Sequence, residues 1–153
     1  MEKNNIVITK MQFEDLQKIK QNLQSDYDDF WDLDVISEEL KCESSIYVVA
    51  KSQDEIMGFA GIKVILDEAE LMNIVTKKDS RNLGIATKMM ERIIQICKEN
   101  KVSKINLEVN VKNTIAIKLY KKYNFKEVGL RKKYYNNTDD ALLFTLNLNW
   151  NGT

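Results

Sequence analysis

Residues 71–90 constrain the fold of this chain most, because an apolar strand there runs through a short glycine-containing loop into a long amphipathic helix. The loop reads Arg-Asn-Leu-Gly-Ile-Ala over residues 81–86. Gly84 lets the backbone approach a ligand closely, and the free N–H groups of the first helical turn point at an anion along the positive end of the helix dipole. The loop is too short for a Walker motif and lacks the first glycine of a dinucleotide fingerprint. It predicts a pyrophosphate site, although a glycine at a helix start is also a common turn residue.

Length and composition predict one globular domain over residues 1–153, with 44% hydrophobic and 30% charged residues. Lys plus Arg and Asp plus Glu number 23 each, so no net field favours nucleic acid or an anionic membrane. The N-terminus lacks a signal-peptide pattern, and no apolar run is long enough to span a bilayer. Cys42 and Cys97 lie far apart without metal-ligand spacing. We therefore expect a cytoplasmic protein with no metal, no nucleic-acid partner and no membrane contact.

Histidine is absent from the whole sequence. Its absence excludes Ser-His and Cys-His nucleophile pairs and histidine-based zinc sites. Any proton transfer therefore falls to Glu, Asp, Lys, Tyr or a bound water.

Apolar periodicity predicts the element order β-α-α-β-β-β-α-β-α-β-β, in one mixed sheet flanked by helices. The predicted strands are Ile6–Thr9, Ile46–Ala50, Ile56–Val64, one ending near Thr76, Lys104–Val109, Phe125–Leu130 and Leu142–Leu148. The predicted helices are Gln12–Leu23, Val35–Lys41, Ile85–Asn100 and Thr114–Tyr123, the last with Asn113 as its N-cap. Core-facing positions are Phe13, Leu16, Ile19 and Leu23 in the first helix and Ile85, Met89, Ile93 and Cys97 in the third. A loop over residues 134–137 joins the last two strands.

This order and three motifs resemble the GNAT acetyltransferases, most closely the bacterial ribosomal-protein-alanine N-acetyltransferases. The loop 81–86 is similar to the family's Gln/Arg-x-x-Gly-x-Gly/Ala signature. The other two motifs are Leu107-Glu-Val-Asn110…Asn113…Ala116-Ile-Lys-Leu-Tyr120…Tyr123-Asn-Phe125 and Arg131-Lys-Lys-Tyr-Tyr135…Asp140-Ala-Leu. The chain departs from the subfamily pattern at Asn110, which replaces an Arg. The resemblance implies one mixed α/β domain with a mostly antiparallel sheet and a central, splayed pair of parallel strands.

The resemblance also implies that acetyl-CoA is the cosubstrate. Its pyrophosphate would bind the loop and first helical turn, formed by Arg81, Asn82, Leu83, Gly84, Ile85, Ala86 and Thr87, with Asn113 as a further contact. The backbone of Ile74, Val75 and Thr76 would hold the pantetheine and polarise the thioester carbonyl.

Glu108 is the candidate general base. A parallel strand inside an α/β sheet normally has both faces covered and is apolar throughout. Polar residues at 106, 108 and 110 therefore indicate that one face opens into a cleft, which agrees with the family's use of this glutamate. The alternative is that Glu108 is only the polar half of an alternating strand.

Tyr120 is the candidate general acid. A phenol has a reference pKa of about 10 and a thiol of about 8.5, so a tyrosine can stay protonated beside a leaving thiolate. The alternative is a core aromatic, because Ile117, Tyr120 and Tyr123 lie on related faces of the same helix.

The candidate acceptor site combines aromatic residues from two loops, namely Tyr27, Trp31, Tyr134 and Tyr135. The alternative is that they are surface aromatics packed on the sheet edge. An acetyl-cysteine route is not expected, because Cys97 fits the core and Cys42 has no activating neighbour beyond Lys41.

The leading interpretation is transfer of an acetyl group from acetyl-CoA to the N-terminal α-amine of a protein, such as a ribosomal protein, by direct attack. A small-molecule amine acetyltransferase and a catalytically silent acyl-CoA-binding module are the alternatives. The expected partners are acetyl-CoA and a peptide N-terminus or small amine, bound by a monomer or weak homodimer.

Overall fold

Seven strands and four helices make up the part of the chain that the computed structural model describes, residues 5–21, 33–78, 84–135 and 139–148. Their order is β-α-α-β-β-β-α-β-α-β-β, as predicted. The strands are β1 (Ile6–Lys10), β2 (Ser45–Ser52), β3 (Glu55–Ile65), β4 (Glu68–Thr76), β5 (Lys104–Asn110), β6 (Lys126–Tyr135) and β7 (Asp139–Asn147). The helices are α1 (Phe13–Gln21), α2 (Leu33–Glu39), α3 (Ile85–Glu99) and α4 (Thr114–Lys122).

All the strands join one sheet in the order β1-β2-β3-β4-β5-β7-β6, and every neighbouring pair is antiparallel except β4 and β5. The parallel pair is hydrogen-bonded only where residues 68–70 face residues 104–106. Beyond that point the two strands continue without pairing to each other, up to Thr76 and Asn110. The mixed sheet with a central splayed pair is therefore confirmed.

The helices cover the two faces of the sheet unequally. On one face, α3 and α4 pack over the centre of the sheet, and the predicted α3 positions Ile85, Met89, Ile93 and Cys97 are all buried there. On the other face, α1 and α2 cover the half formed by β2 and β3. The half of this second face formed by β5, β6 and β7 carries no helix among the described residues, so polar side chains there are open to solvent.

Two details of the predicted elements are wrong. Phe13 is 54% exposed, because the buried stripe of α1 consists of Leu16, Ile19 and Asp15. Asp15 is buried because its carboxylate accepts the Gln12 N–H at 2.7 Å and pairs with Lys51 at 2.8 Å. Leu23 lies outside the described residues. The last hairpin is also longer than predicted.

The hairpin extends because register shifts let β6 continue as far as Tyr135, which pairs with Asp139 of β7. The backbone of Tyr134 and Tyr135 is therefore strand and not loop.

None of the described helices has the length and apolar character of a membrane span.

A side chain of β2 packs closely on the backbone of β3, on the face of the sheet that α1 and α2 cover. The ring of Tyr47 lies directly over Gly61, and a Cβ added to Gly61 would clash with that ring. We expect Gly61→Ala to lower the free energy of unfolding by about 1–3 kcal/mol, because the ring must leave its rotamer. Urea denaturation followed by circular dichroism measures this, and an unchanged midpoint would show that the ring is not fixed there.

Candidate active site

A cleft of about 480 Å³ lies along the open half of the sheet, on the face that carries Glu108. Its walls come from β4, β5, β6 and β7, and the lining residues with polar side chains are Glu70, Asn106, Glu108, Arg131 and Thr145. The cleft predicted from the polar alternation of β5 is therefore present. Two carboxylates and one guanidinium line it, which leaves an excess of one negative charge and favours a cationic ligand.

Side-chain hydrogen bonds link neighbouring strands at the floor of the cleft, where the parallel strands separate. Asn106 donates from Nδ2 to Glu68 at 3.0 Å and accepts from the Thr145 hydroxyl at 2.7 Å. Lys104 lies 3.7 Å from the same Glu68 carboxylate. The floor thus links β4, β5 and β7 by side chains where the ladder between β4 and β5 ends.

The Glu108 carboxylate lies at the cleft wall with 31% of its side chain exposed, and Arg131 Nη2 of β6 approaches its Oε1 at 3.2 Å. A surface pair of this kind adds little to stability, but it restricts the orientation of the carboxylate. Sequence reasoning placed Arg131 in a motif without giving it a role. The contact joins two strands separated by β7, and a single sequence carries no signal for it.

Asn110, at the end of β5, is tied to the start of β7. Its amide donates to Asp139 at 3.0 Å and accepts the Lys112 N–H at 2.9 Å, and Lys112 Nζ lies 2.9 Å from Asp139. The hydrogen bonds from Asn110 and Lys112 lower the pKa of Asp139. Asn110 therefore helps to fix the start of β7 in the last hairpin.

Tyr120 is buried, with 5% of its surface exposed, and belongs to the core cluster on the α3 and α4 face. Its ring centroid lies 5.7 Å from that of Phe125 and 6.3 Å from that of Phe144. Its ring therefore packs in the core. Leu107 and Val109 of β5 face the same cluster, whereas Glu108 faces the cleft. The candidate acid and base thus lie on opposite sides of β5.

The first turn of α3 lies against the end of β4 where the gap between the parallel strands is open. Gly84 precedes this turn with φ 76° and ψ 15°, a left-handed conformation that favours glycine. Ile85 and Met89 pack so closely on β3 that a Cβ on Gly58 would meet both, as well as the Val75 carbonyl oxygen at 2.6 Å. N–H groups of the first turn have no intrahelical partner and can bind an anion.

The remaining predicted cofactor residues divide into described and undescribed positions. Ala86 and Thr87 are half-buried in the first turn of α3. Ile74, Val75 and Thr76 pair with β3, and the ladder to β5 ends before them, at residue 70. Asn113 caps α4, as predicted, by accepting the Ala116 N–H at 3.2 Å. Arg81, Asn82 and Leu83 lie outside the described residues.

The side chains predicted to form the acceptor site lie outside the part of the chain that the structure describes. Tyr27 and Trp31 lie outside the described residues, as do the side chains of Tyr134 and Tyr135. The cleft along β4 to β7 is instead the described cavity nearest to Glu108.

The cysteines and possible metal ligands take no part in this geometry. Cys97 is buried in the core, and burial raises its pKa to about 12, which keeps the thiol protonated. Cys42 is exposed and is not among the residues that line the cleft. The part of the chain that the structure describes contains no cluster of residues that could hold a metal ion.

Comparison with known proteins gives consistent matches across the chain. The sequence model of the Acetyltransferase (GNAT) family matches residues 11–125. A Bacillus subtilis protein, provisionally named a ribosomal protein bS18-alanine N-acetyltransferase, is 29% identical over 149 residues, which are 96% of this chain and 99% of that protein. An N-alpha-acetyltransferase from Sulfolobus acidocaldarius is 31% identical over 119 residues, 69% of this chain and 71% of that protein.

A solved structure shows the same likeness in three dimensions. The crystal structure of the ribosomal-protein-S18-alanine N-acetyltransferase from Escherichia coli superposes with a TM-score of 0.84 at 26% identity, covering 93% of each chain. The family model spans well over half of this chain and includes the splayed strands and the first turn of α3. The chain belongs to the GNAT family of acetyltransferases and is an N-acetyltransferase that uses acetyl-CoA as its cosubstrate.

Proposed function

We propose that this acetyltransferase acts on the N-terminal α-amine of a protein, with the N-terminus of a ribosomal protein as the leading candidate. The names of the Bacillus subtilis and Escherichia coli relatives, which refer to an alanine of ribosomal protein bS18, support this acceptor. The observation that carries the mechanism is the position of Glu108, a partly exposed carboxylate in an open cleft beside the gap between β4 and β5.

The gap lets the two substrates approach from opposite faces of the sheet. An amine in the cleft would reach the gap beside Glu108, while the first turn of α3 would hold the pyrophosphate at the other end of the gap. Backbone N–H groups of Ile74, Val75 and Thr76 that face the gap would polarise the thioester carbonyl. Glu108, directly or through water, takes a proton from the attacking amine, and Tyr120 returns one to the thiolate.

The acid–base properties of amines favour an α-amine over a lysine side chain. Their reference pKa values are about 8 and about 10.4, so at pH 7 about one α-amine in ten is neutral, against about one lysine amine in 2,500. A single carboxylate can therefore supply free α-amine readily. The excess negative charge of the cleft attracts the protonated amine before it loses its proton.

The proposed acceptor is tested by measuring acetyl-CoA turnover with a panel of matched peptides. Each peptide begins with alanine and carries one internal lysine, and each is supplied with a free or a formylated N-terminus. We expect acetylation of the free form only, which mass spectrometry locates at the α-amine. Acetylation of both forms would identify a lysine acetyltransferase, and turnover with small amines alone would identify a small-molecule acetyltransferase. Tight acetyl-CoA binding with no transfer to any amine would identify the protein as a catalytically silent acyl-CoA-binding module.

The role proposed for the first turn of α3 predicts that Gly84→Val weakens acetyl-CoA binding by about tenfold or more, the effect of losing a hydrogen bond to a charged group. Valine at φ 76° is strained and must move the turn that would face the pyrophosphate. Calorimetric titration measures the affinity. The rise in melting temperature on adding acetyl-CoA gives a second readout, since a ligand stabilises the fold it binds.

The matched control at this position is Gly84→Asn, because asparagine tolerates the left-handed conformation. A Cβ at Gly84 meets no atom within 4 Å, so the protein itself has room for it. Weaker binding by a fully stable Gly84→Asn protein would show that the ligand takes up this room. Unchanged affinity in a folded Gly84→Val protein would remove the turn from the site.

A further inference from the structure

One side-chain oxygen or nitrogen atom of the described residues is buried without a hydrogen-bond partner. It is Oδ1 of Asn73, on β4 beside the gap. The other end of the same amide is engaged, since Nδ2 donates to the Met72 carbonyl at 2.9 Å. Buried carbonyl oxygens are nearly always paired, so an unpaired one at a binding site calls for a donor from outside the chain.

The register of the sheet shows which face Asn73 occupies. In the β3–β4 pair, Leu71 lies opposite Ile62 and Asn73 lies opposite Gly61, so Met72 is an extra residue in a bulge. Leu71 packs against the core under α3. Glu70, the residue before it, therefore faces the other side, and Asn73 faces that side too, because the bulge shifts the alternation by one residue.

On this face, Asn73 lies at the border between the half of the sheet that α1 and α2 cover and the half that is open to solvent. Across β3, Asn73 is in one row with Gly61 and with Tyr47, whose ring fills the space over Gly61 in the core under α1 and α2. Burial, and then the charge of Glu39, raise the pKa of Tyr47 to about 12, so its hydroxyl stays protonated, yet it makes no hydrogen bond to Asn73. Across the gap on the other side, Asn106 and Glu108 face the cleft.

We propose that Asn73 Oδ1 accepts a hydrogen bond from the nitrogen of the acceptor amine and holds that nitrogen at the gap, between β4 and Glu108. The proposal rests on the proposed function, because it assigns a contact of the same amine. The cleft reaches β4 at Glu70, Leu71 and Met72, and the ladder to β5 ends at residue 70, so an amine at this end of the cleft lies next to Asn73. A protonated or neutral amine has N–H groups to donate and so supplies what the Asn73 carbonyl lacks.

The alternative role for Asn73 is purely structural, through the bond from Nδ2 to the Met72 carbonyl that supports the bulge. Two variants separate the roles. Asn73→Leu removes both ends of the amide, whereas Asn73→Asp keeps an oxygen acceptor toward the amine and removes the Nδ2 donor. If Oδ1 binds the amine, only the leucine variant loses acceptor binding. If the bulge bond is what counts, the two variants fail alike.

The experiment measures KM for the amine and for acetyl-CoA separately in the wild type and both variants. We expect Asn73→Leu to raise KM for the amine by about tenfold or more, the effect of losing a hydrogen bond to a charged group. Its KM for acetyl-CoA should stay within about twofold, and Asn73→Asp should keep the wild-type KM for the amine. Asn147→Leu makes the same chemical change at the exposed end of β7, outside the residues that line the cleft, and should change neither constant.

Several outcomes would overturn the proposal. A wild-type KM for the amine in Asn73→Leu would exclude the contact. Equal losses in Asn73→Leu and Asn73→Asp would assign Asn73 to the bulge, and a selective rise in KM for acetyl-CoA would assign it to the cofactor. Because the contact is to the amine nitrogen, the same comparison applies if the wild type acetylates only small amines. In that case the proposed peptide acceptor is wrong, and the KM values for the small amine still decide whether Asn73 contacts the amine nitrogen.

Discussion

Glu108→Gln is expected to lower the turnover number by about 100- to 10,000-fold, the usual contribution of a positioned general base. Glutamine has nearly the same shape and can still contact Arg131, which lies 3.2 Å from the carboxylate, but it cannot take a proton from the amine. The deficit should be largest at low pH, where few α-amines are already neutral, and should shrink as the pH rises past about 8. Steady-state kinetics between pH 6 and 9.5 with saturating acetyl-CoA measures this.

The matched control is Glu127→Gln, which makes the same change at an exposed position of β6 outside the cleft lining. It should leave the turnover number within about twofold of the wild type. A deficit for Glu108→Gln that is independent of pH would assign Glu108 to substrate orientation. A wild-type rate at low pH would mean that the enzyme only positions an amine that water has already deprotonated.

Local patterns were enough to predict the order of the elements, whereas the splayed parallel pair was implied by the family resemblance. The interval of four between Ile85, Met89, Ile93 and Cys97 predicted the buried face of α3, and all four are buried. Apolar spacing gave a wrong prediction in α1, where a buried, paired carboxylate competes with an apolar side chain for the core. Phe13 has the right spacing for the core, but the buried Asp15 occupies that face of α1 because Lys51 and the Gln12 N–H satisfy its carboxylate.

The sequence predicted only the part of the cleft that β5 forms. Polar residues at alternate positions of β5 indicated an open face, but they could not show which strands form the other walls. The Arg131 contact joins β6 to β5 across β7, and the unpaired Asn73 oxygen depends on a one-residue bulge in β4. Both arise from sheet register, which period-two patterns do not encode at bulges.

The last hairpin illustrates the same limit. The turn residues near Asn136 correctly indicated a reversal of the chain, but they did not fix where β6 ends. The pairing of Tyr135 with Asp139 is decided by contacts outside the hairpin, since Asn110 and Lys112 hold the Asp139 carboxylate.

Tyr120→Phe is expected to lower the turnover number by about 100-fold or more while acetyl-CoA binds as tightly as before. Phenylalanine keeps the ring that packs at 5.7 Å from Phe125 and 6.3 Å from Phe144, so the core should survive. What is lost is a hydroxyl that can donate a proton as charge develops on the leaving sulfur. Single-turnover kinetics together with calorimetric titration of acetyl-CoA separates the chemical step from binding.

Burial of Tyr120 makes a packing control essential, because a core aromatic could affect turnover simply by holding α4 in place. Tyr120→Leu removes both the hydroxyl and the ring contacts, so it should lower the unfolding midpoint as well as the rate, whereas Tyr120→Phe should lower the rate alone. Equal rates for Tyr120→Phe and the wild type would leave Tyr120 as a core residue and transfer the protonation of the thiolate to water. If Glu108→Gln were silent as well, proximity in the gap between β4 and β5 would have to account for the whole rate.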